Sequence, residues 1–220
     1  MYRMKFAVFG ATSGTGRAFC AEALAGGHTI VALARDPDKL TLENGTAEVL
    51  RGDVLDRVAV EAAVAGCDAV FCTIGAKPRD PAGLCSDGTR NIVAAMERHG
   101  VRRLVCVTGC MVGHPPELMR GTVYRVLRWL EIGFIKKMVD DRRLQEQLVQ
   151  RSPLNWTILR PPRLTDGAAT GRYVLGPSIV VGPGAVAARG NVAKAALALL
   201  TSEEFSREGV AIFDDPTIVT

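Results

Sequence analysis

The chain is 220 residues long, enough for one sizeable core and short for two full domains. With 48% hydrophobic and 23% charged residues, its composition is that of a globular protein and not of a disordered chain. A net charge of +4, without a clustered basic stripe or an aromatic RNA-type motif, argues against nucleic acid, and no apolar run reaches the roughly 18 residues of a membrane span.

The first element in chain order is also the most informative. Phe6-Ala7-Val8-Phe9 is a short apolar run that breaks into Gly10-Ala11-Thr12-Ser13-Gly14-Thr15-Gly16-Arg17 and continues as the helical pattern Ala18-Phe19-Cys20-Ala21-Glu22-Ala23-Leu24. The run is too short for a signal-peptide core, so a cytoplasmic location is expected. Strand, glycine-rich turn and helix is the order that a dinucleotide pyrophosphate requires. Glycines let the backbone approach the phosphates, and unpaired amides at the helix start face the anion. Thr12, Ser13 and Thr15 add hydroxyls suited to phosphate oxygens. The turn resembles the short-chain dehydrogenase/reductase superfamily, where both G-x-x-G-x-x-G and G-x-x-x-G-x-G occur. Gly10, Gly14 and Gly16 satisfy the second pattern, and Ser13 stands at the middle glycine of the first.

Along the rest of the chain, apolar runs alternate with helical patterns. Strands are predicted over 5–9, 29–34, 47–51, 68–74, 103–108, 156–160 and 210–213. Helices are predicted over 16–25, 56–65, 86–99, 116–150 (broken near Gly133) and 191–201. The strands are rich in Val, Ile and Phe with little alternation, which implies burial on both faces and a parallel sheet. The expectation is a single domain of α/β class, a doubly wound, mostly parallel Rossmann sheet with helices on both faces. Loops rich in Gly and Pro at 76–83 and 164–190 follow strand ends, where ligands bind in open α/β sheets.

Four strand ends supply candidate cofactor residues. Arg35 directly follows the second strand, where an acidic residue would accept from the ribose hydroxyls of NAD and an arginine pairs with the 2′-phosphate of NADP. Arg17 is a candidate second cation. Asp36 is the competing ribose ligand, but Pro37 behind it marks Asp36 as the cap of a short turn, so NADP is favoured and NAD stays possible. Asp53, after the third strand, is placed to accept from the adenine amino group with Val54 against the ring. Helix capping is the alternative for Asp53 and the expected role of Asp56. Thr73-Ile74-Gly75 ends the fourth strand, with Gly75 beside the nicotinamide ribose. Thr108 ends the fifth strand near the nicotinamide.

The segments Gly52-Asp53-Val54-Leu55-Asp56, Gly88-Thr89-Arg90-Asn91-Ile92-Val93-Ala94-Ala95-Met96, Val101-Arg102-Arg103-Leu104-Val105 and Trp156-Thr157-Ile158-Leu159-Arg160-Pro161-Pro162-Arg163-Leu164-Thr165-Asp166-Gly167 form a series. Together they resemble the atypical short-chain reductases, the NmrA-like group, and in pattern the biliverdin reductase B/flavin reductase type. The resemblance covers roughly residues 4 to 213 and implies one NAD(P)-binding Rossmann domain with a small substrate cleft above the strand ends.

The chain departs from those relatives at the catalytic positions. Met138 and Arg142 stand where the Tyr-xxx-Lys pair falls in register, and Tyr124-xxx-Arg128 has the spacing without the lysine. Gly109 replaces the serine that follows the fifth-strand threonine in the flavin-reductase type, and Arg163 replaces the histidine after the Pro-Pro pair. Reducing an ordinary carbonyl needs a proton donor for the developing alkoxide. A flavin, quinone or tetrapyrrole acceptor is less demanding, since its charge delocalises and solvent protonates it. Arg163 is the candidate cation that stabilises that charge; the alternative is a surface arginine paired with Asp166.

The remaining polar and reactive groups are read as structural or auxiliary. His28 and His99 are structural, and His114 lies in a loop within reach of the cleft. The six cysteines contain no C-x-x-C pair and read as small buried hydrophobes, with no metal site. The basic amphipathic stretch 124–137 is a lid, a dimer surface or a membrane-lying segment, and the protein is expected to be a monomer or homodimer.

The resulting expectation is an NADPH-dependent reductase acting on a small-molecule acceptor. A non-catalytic NADP-sensing regulator or assembly partner is the alternative, and a nucleotide-sugar epimerase or dehydratase the third reading.

Overall fold

The computed structural model describes residues 3–42, 46–110, 112, 134–177, 179 and 184–215. Tyr124, Arg128, His114 and most of the 124–137 stretch lie outside them. Among the described residues, ten strands and five α-helices follow one another as β1 (Lys5–Phe9), α1 (Gly14–Ala25), β2 (Thr29–Ala34), β3 (Thr46–Arg51), α2 (Arg57–Val64), β4 (Ala69–Cys72), α3 (Leu84–His99), β5 (Arg103–Val107), α4 (Phe134–Arg151), β6 (Asn155–Arg160), β7 (Arg163–Thr165), β8 (Tyr173–Gly176), β9 (Val186–Ala188), α5 (Arg189–Leu200) and β10 (Glu208–Asp214). A 3-10 turn, Pro37–Lys39, follows β2.

The main sheet has the order β3-β2-β1-β4-β5-β6-β10-β8. All its pairings are parallel except β10 with β8. The chain therefore winds outward from β1 in one direction and from β4 in the other, and the strand order reverses between them. In a doubly wound sheet that reversal opens a crevice at the carboxyl ends of the strands.

Burial on both faces explains the strand composition. Phe6 and Val8 face one layer and Ala7 and Phe9 the other, all within 1% of complete burial. On the first side Phe19, Cys20, Ala23 and Leu24 of α1 pack with Val192, Ala196 and Leu199 of α5. There Phe19 stacks on Phe71 at 4.1 Å and meets Phe6 edge-on at 5.9 Å. On the other side α2, α3 and α4 supply Val60, Val64, Ile92, Met96 and Val149.

β1 and β2 have the boundaries that the sequence predicts. β4 stops at Cys72 instead of Ile74, because the Thr73 N–H makes the last ladder bond to the Phe9 carbonyl at 2.9 Å and Gly10 then turns away. The long segment 164–190, expected as loop, contains β7, β8 and β9. β7 and β9 form a separate two-stranded parallel sheet, while β8 completes the edge of the main one.

His28 is structural, as expected: it is 3% exposed and its Nδ1 accepts from the Met4 N–H at 3.2 Å. Five of the six cysteines are buried, and Cys110 is half-buried. Burial pushes Cys20 up to about 12, and Cys67 and Cys85 up to about 11, so these thiols carry no thiolate at neutral pH.

Candidate functional site: a cleft at the strand-order reversal

The cleft is built from the ends of four strands. Phe9 and Gly10 come from β1, Leu33, Ala34 and Arg35 from β2, Gly52, Asp53 and Val54 from β3, and Thr73, Ile74 and Gly75 from β4. Thr12, Ser13, Lys77 and Leu84 complete the wall. It is a cleft open to solvent along one side. Nine predicted residues meet here: Gly10, Thr12, Ser13, Arg35, Asp53, Val54, Thr73, Ile74 and Gly75.

The glycine turn is held by its own hydrogen bonds. The Ser13 N–H donates to the Gly10 carbonyl at 2.9 Å, and Ser13 Oγ accepts from the Gly16 N–H at 3.0 Å, capping α1. That cap starts the helix at Gly14, two residues before the predicted start. The Gly14 and Thr15 amides, ahead of Gly16, have no intrahelical carbonyl to bond. Gly10 has φ +87°, and a methyl group on it would lie 2.6 Å from the Thr73 carbonyl oxygen. A methyl on Gly16 would lie 2.1 Å from the Gly10 carbonyl oxygen. The cradle is thus closed to side chains and open to a phosphate, and these residues fit a dinucleotide.

Gly14, Thr15, Gly16 and Arg17 support the cradle from α1. Thr15 is buried. The Arg17 guanidinium donates to the Thr12 carbonyl from Nε at 3.1 Å and Nη2 at 2.9 Å, so it staples the turn. Arg189, from the start of α5, crosses this first turn: a methyl on Gly14 would lie 2.5 Å from its Cδ. No local pattern announces a residue so distant in sequence.

At the β3 side of the cleft, Asp53 Oδ1 accepts from the Leu55 N–H at 2.9 Å, closing a turn and not capping a helix. Asp56 caps α2, as predicted. The Val54 carbonyl accepts from Asn91 Nδ2 at 3.0 Å, and a methyl on Gly88 would come within 2.7 Å of Val54 Cγ1, so α3 fixes this residue against the cleft. Asp36 pairs with Lys39 at 2.8 Å, ahead of the 3-10 turn, and does not line the cleft. Arg35 does line it. Its Nη1 donates to Asp80 Oδ1 at 2.8 Å, and its Nε lies 3.9 Å from Asp53 Oδ2. The Asp80 partner raises the guanidinium pKa further, while Arg35 holds the Asp80 carboxyl below its usual range.

Thr108 and Arg163 do not line this cleft. The Thr108 hydroxyl donates to Glu146 Oε1 at 2.6 Å. Glu146, on α4, also accepts from Arg160 Nε at 3.1 Å and pairs with Arg160 Nη2 at 2.6 Å. The one hydroxyl proton of Thr108 is therefore committed to Glu146. Arg163 is exposed on β7, beside Val186 of β9. The Asp166 partner considered for it belongs instead to Arg189, at 2.5 Å.

α4 brings its two sequence-flagged residues to the strand ends. Arg142 Nη1 donates to Gln145 Oε1 at 2.7 Å, and Arg142 Nη2 lies 3.2 Å from where a methyl on Gly75 would be. Met138 joins Lys77, Pro78, Pro81 and Lys137 around a second hollow beyond the first. Asp141 of the same helix accepts from the Cys85 and Ser86 N–H groups at 2.9 and 3.0 Å. That distant cap starts α3 at Leu84 and not at the predicted Ser86.

A model of the NAD(P)H-binding family matches residues 10–203. The chain belongs to the NAD(P)H-binding family. The match agrees with the Rossmann topology and supports the likeness to atypical short-chain reductases. A chloroplastic protein of Arabidopsis thaliana is 29% identical over 218 residues, covering 94% of this chain and 76% of its own length. A (4-alkanoyl-5-oxo-2,5-dihydrofuran-3-yl)methyl phosphate reductase of Streptomyces griseus is 32% identical over 154 residues. That match takes in 70% of this chain and 46% of the relative, so the chain spans less than half of it.

Solved structures at lower identity share the fold. An anaerobilin reductase of Escherichia coli superposes with a TM-score of 0.80 at 24% identity, covering 98% of this chain and 99% of the other. A short-chain dehydrogenase/reductase of Veillonella parvula in complex with NADP superposes with a TM-score of 0.80 at 20% identity, covering 99% and 96%. No helix among the described residues of this family member is long and apolar enough to cross a membrane.

Proposed function

We propose that this family member is an NADPH-dependent reductase that passes hydride to a conjugated acceptor: a flavin, a quinone or a tetrapyrrole. The observation that carries the reading is the cleft at the strand-order reversal, with an arginine, and no acidic residue, directly after β2. In this reading the Gly10–Gly16 turn takes the pyrophosphate, Arg35 the 2′-phosphate, Asp53 and Val54 the adenine, and Thr73, Ile74 and Gly75 the nicotinamide ribose. Bound NADPH supplies the hydride.

The acceptor class follows from the groups at the strand ends. Met138 and Arg142 stand where a tyrosine–lysine pair would act, and the Thr108 proton is taken by Glu146. A group with no proton to give suits an acceptor whose charge spreads over a ring system and is quenched by solvent. Thr108 then serves as a hydrogen-bond acceptor near the nicotinamide, and Arg163, exposed on β7 outside the cofactor cleft, is the cation for an acceptor bound on that side. The curated relatives named as reductases, including a 2-alkyl-3-oxoalkanoate reductase of Stenotrophomonas maltophilia 36% identical over 117 residues, support reduction as the reaction class. A cytoplasmic setting is part of the reading.

Arg35→Ala is expected to weaken NADPH binding by about 10- to 100-fold and NADH binding by less than about threefold, since a charge-assisted hydrogen bond contributes roughly 1.5–3 kcal/mol. Equal losses in fluorescence titrations with the two cofactors would reject that role. Arg163→Ala is expected to lower turnover about tenfold, the loss of roughly 1.4 kcal/mol of transition-state stabilisation, with unchanged NADPH affinity. Unchanged turnover would remove it from the site.

The reaction itself is tested by NADPH oxidation with FMN, riboflavin, a quinone and biliverdin in turn. Saturable turnover with one of them is the expected result. Tight NADPH binding without turnover on any of them would favour the second reading, a cofactor-sensing regulator, which the committed Thr108 proton also suits.

A further inference from the structure

Arg35 does not meet the cleft as a bare cation. Asp80, in the turn between β4 and α3, holds it with Oδ1 at 2.8 Å. The other oxygen, Oδ2, accepts from the Lys77 N–H at 2.8 Å, while the Asp80 N–H donates to the Lys77 carbonyl at 3.0 Å. The carboxylate thus closes its own turn with one oxygen and reaches across to β2 with the other. Its side chain is 9% exposed and that of Arg35 is 53% exposed, so the turn shields the carboxylate while one side of the guanidinium faces solvent. Asp53 Oδ2 stands 3.9 Å from Arg35 Nε. Two carboxylates therefore share the one guanidinium that follows β2.

We propose that Asp80 is a built-in competitor for the cofactor 2′-phosphate, occupying Arg35 until that phosphate displaces it. The inference rests on the NADPH reading above and adds a specificity-determining residue to it. A phosphate dianion and the Asp80 carboxylate seek the same planar donors, and like charges at that spacing repel. Displacement breaks only the Oδ1 contact. The Oδ2 bond from the Lys77 N–H keeps the turn closed, and Lys77, which lines the cleft, stays beside the incoming anion. The 2′-hydroxyl of NADH carries no charge and leaves the pair intact. Asp80 therefore lowers the preference for NADPH below what Arg35 alone would confer.

The test is titration of NADPH, NADH, 2′,5′-ADP and 5′-AMP into the wild type, Asp80→Asn and Arg35→Ala. Asparagine retains an oxygen for the Lys77 N–H and removes the charge, so the turn survives; an unchanged thermal midpoint checks this. Asp80→Asn is expected to tighten NADPH and 2′,5′-ADP by about three- to tenfold, in the range of a partly exposed ion pair, and to leave NADH and 5′-AMP within about twofold. Unchanged or weaker NADPH binding in Asp80→Asn, with the selective Arg35→Ala loss intact, would overturn the competitor role alone. Equal NADPH and NADH losses in Arg35→Ala would overturn this inference together with the NADPH reading beneath it.

Discussion

Gly16→Ala is expected to reduce NADPH affinity by about a hundredfold. The added carbon would sit 2.1 Å from the Gly10 carbonyl oxygen and 2.8 Å from Ala11 Cα. Both neighbours are backbone, so neither can rotate aside; either α1 retreats or the turn opens. Each movement shifts the first-turn amides away from the pyrophosphate by about an ångström; losing one or two charge-assisted hydrogen bonds of roughly 1.5–3 kcal/mol each amounts to about a hundredfold in affinity. Gly109→Ala is the matched control. Its nearest neighbour would be the Pro161 carbonyl oxygen at 3.9 Å, ordinary van der Waals contact. Titration of NADPH into both variants checks the pair, and a normal affinity in Gly16→Ala would show that this turn does not hold the phosphates.

The second large effect is on stability and involves no cofactor contact. Glu146→Gln is expected to destabilise the fold by about 3 kcal/mol, because it leaves Arg160 shielded without a counter-charge. The side chains of Glu146 and Arg160 are 6% and 19% exposed, and Thr108 adds a third bond to the same carboxylate. For a chain of this size the loss appears as a fall of roughly 6–12 °C in the unfolding midpoint. The double replacement Glu146→Leu with Arg160→Met removes both charges and should recover most of that loss, since an apolar pair of similar volume has no desolvation cost. Calorimetry on the single and double variants decides it. A double variant as unstable as the sum of its parts would show that packing, and not charge, dominates there.

How much of this was legible from the residues alone follows from where each signal resides. Strands β1 and β2 are continuous apolar runs ended by Gly10 and Arg35, so local composition defines them. The ends of β1 to β4 carry Gly10, Ser13, Arg35, Asp53, Val54 and Gly75 into one cleft because parallel strands place their carboxyl ends together. β7, β8 and β9 were not legible: at three or four residues each, they are stabilised by partners far along the chain. The same holds for the site's second layer. Asp80 meets Arg35 across 45 positions, Asp141 caps Cys85 across 56, and Glu146 meets Thr108 across 38. None of these has a spacing that a helix or strand would reveal. Thr108 shows the limit most clearly, since its place at the end of β5 was predictable and the direction of its hydroxyl proton was not.

In the proposed function the cleft takes a dinucleotide with its 2′-phosphate on Arg35. Calorimetric titration of NADPH and NADH into the purified wild-type protein measures this directly. Saturable binding of one equivalent, with NADPH at least about tenfold tighter as one charge-assisted contact predicts, is the expected result. NADH binding as tightly as NADPH, or neither binding, would contradict it.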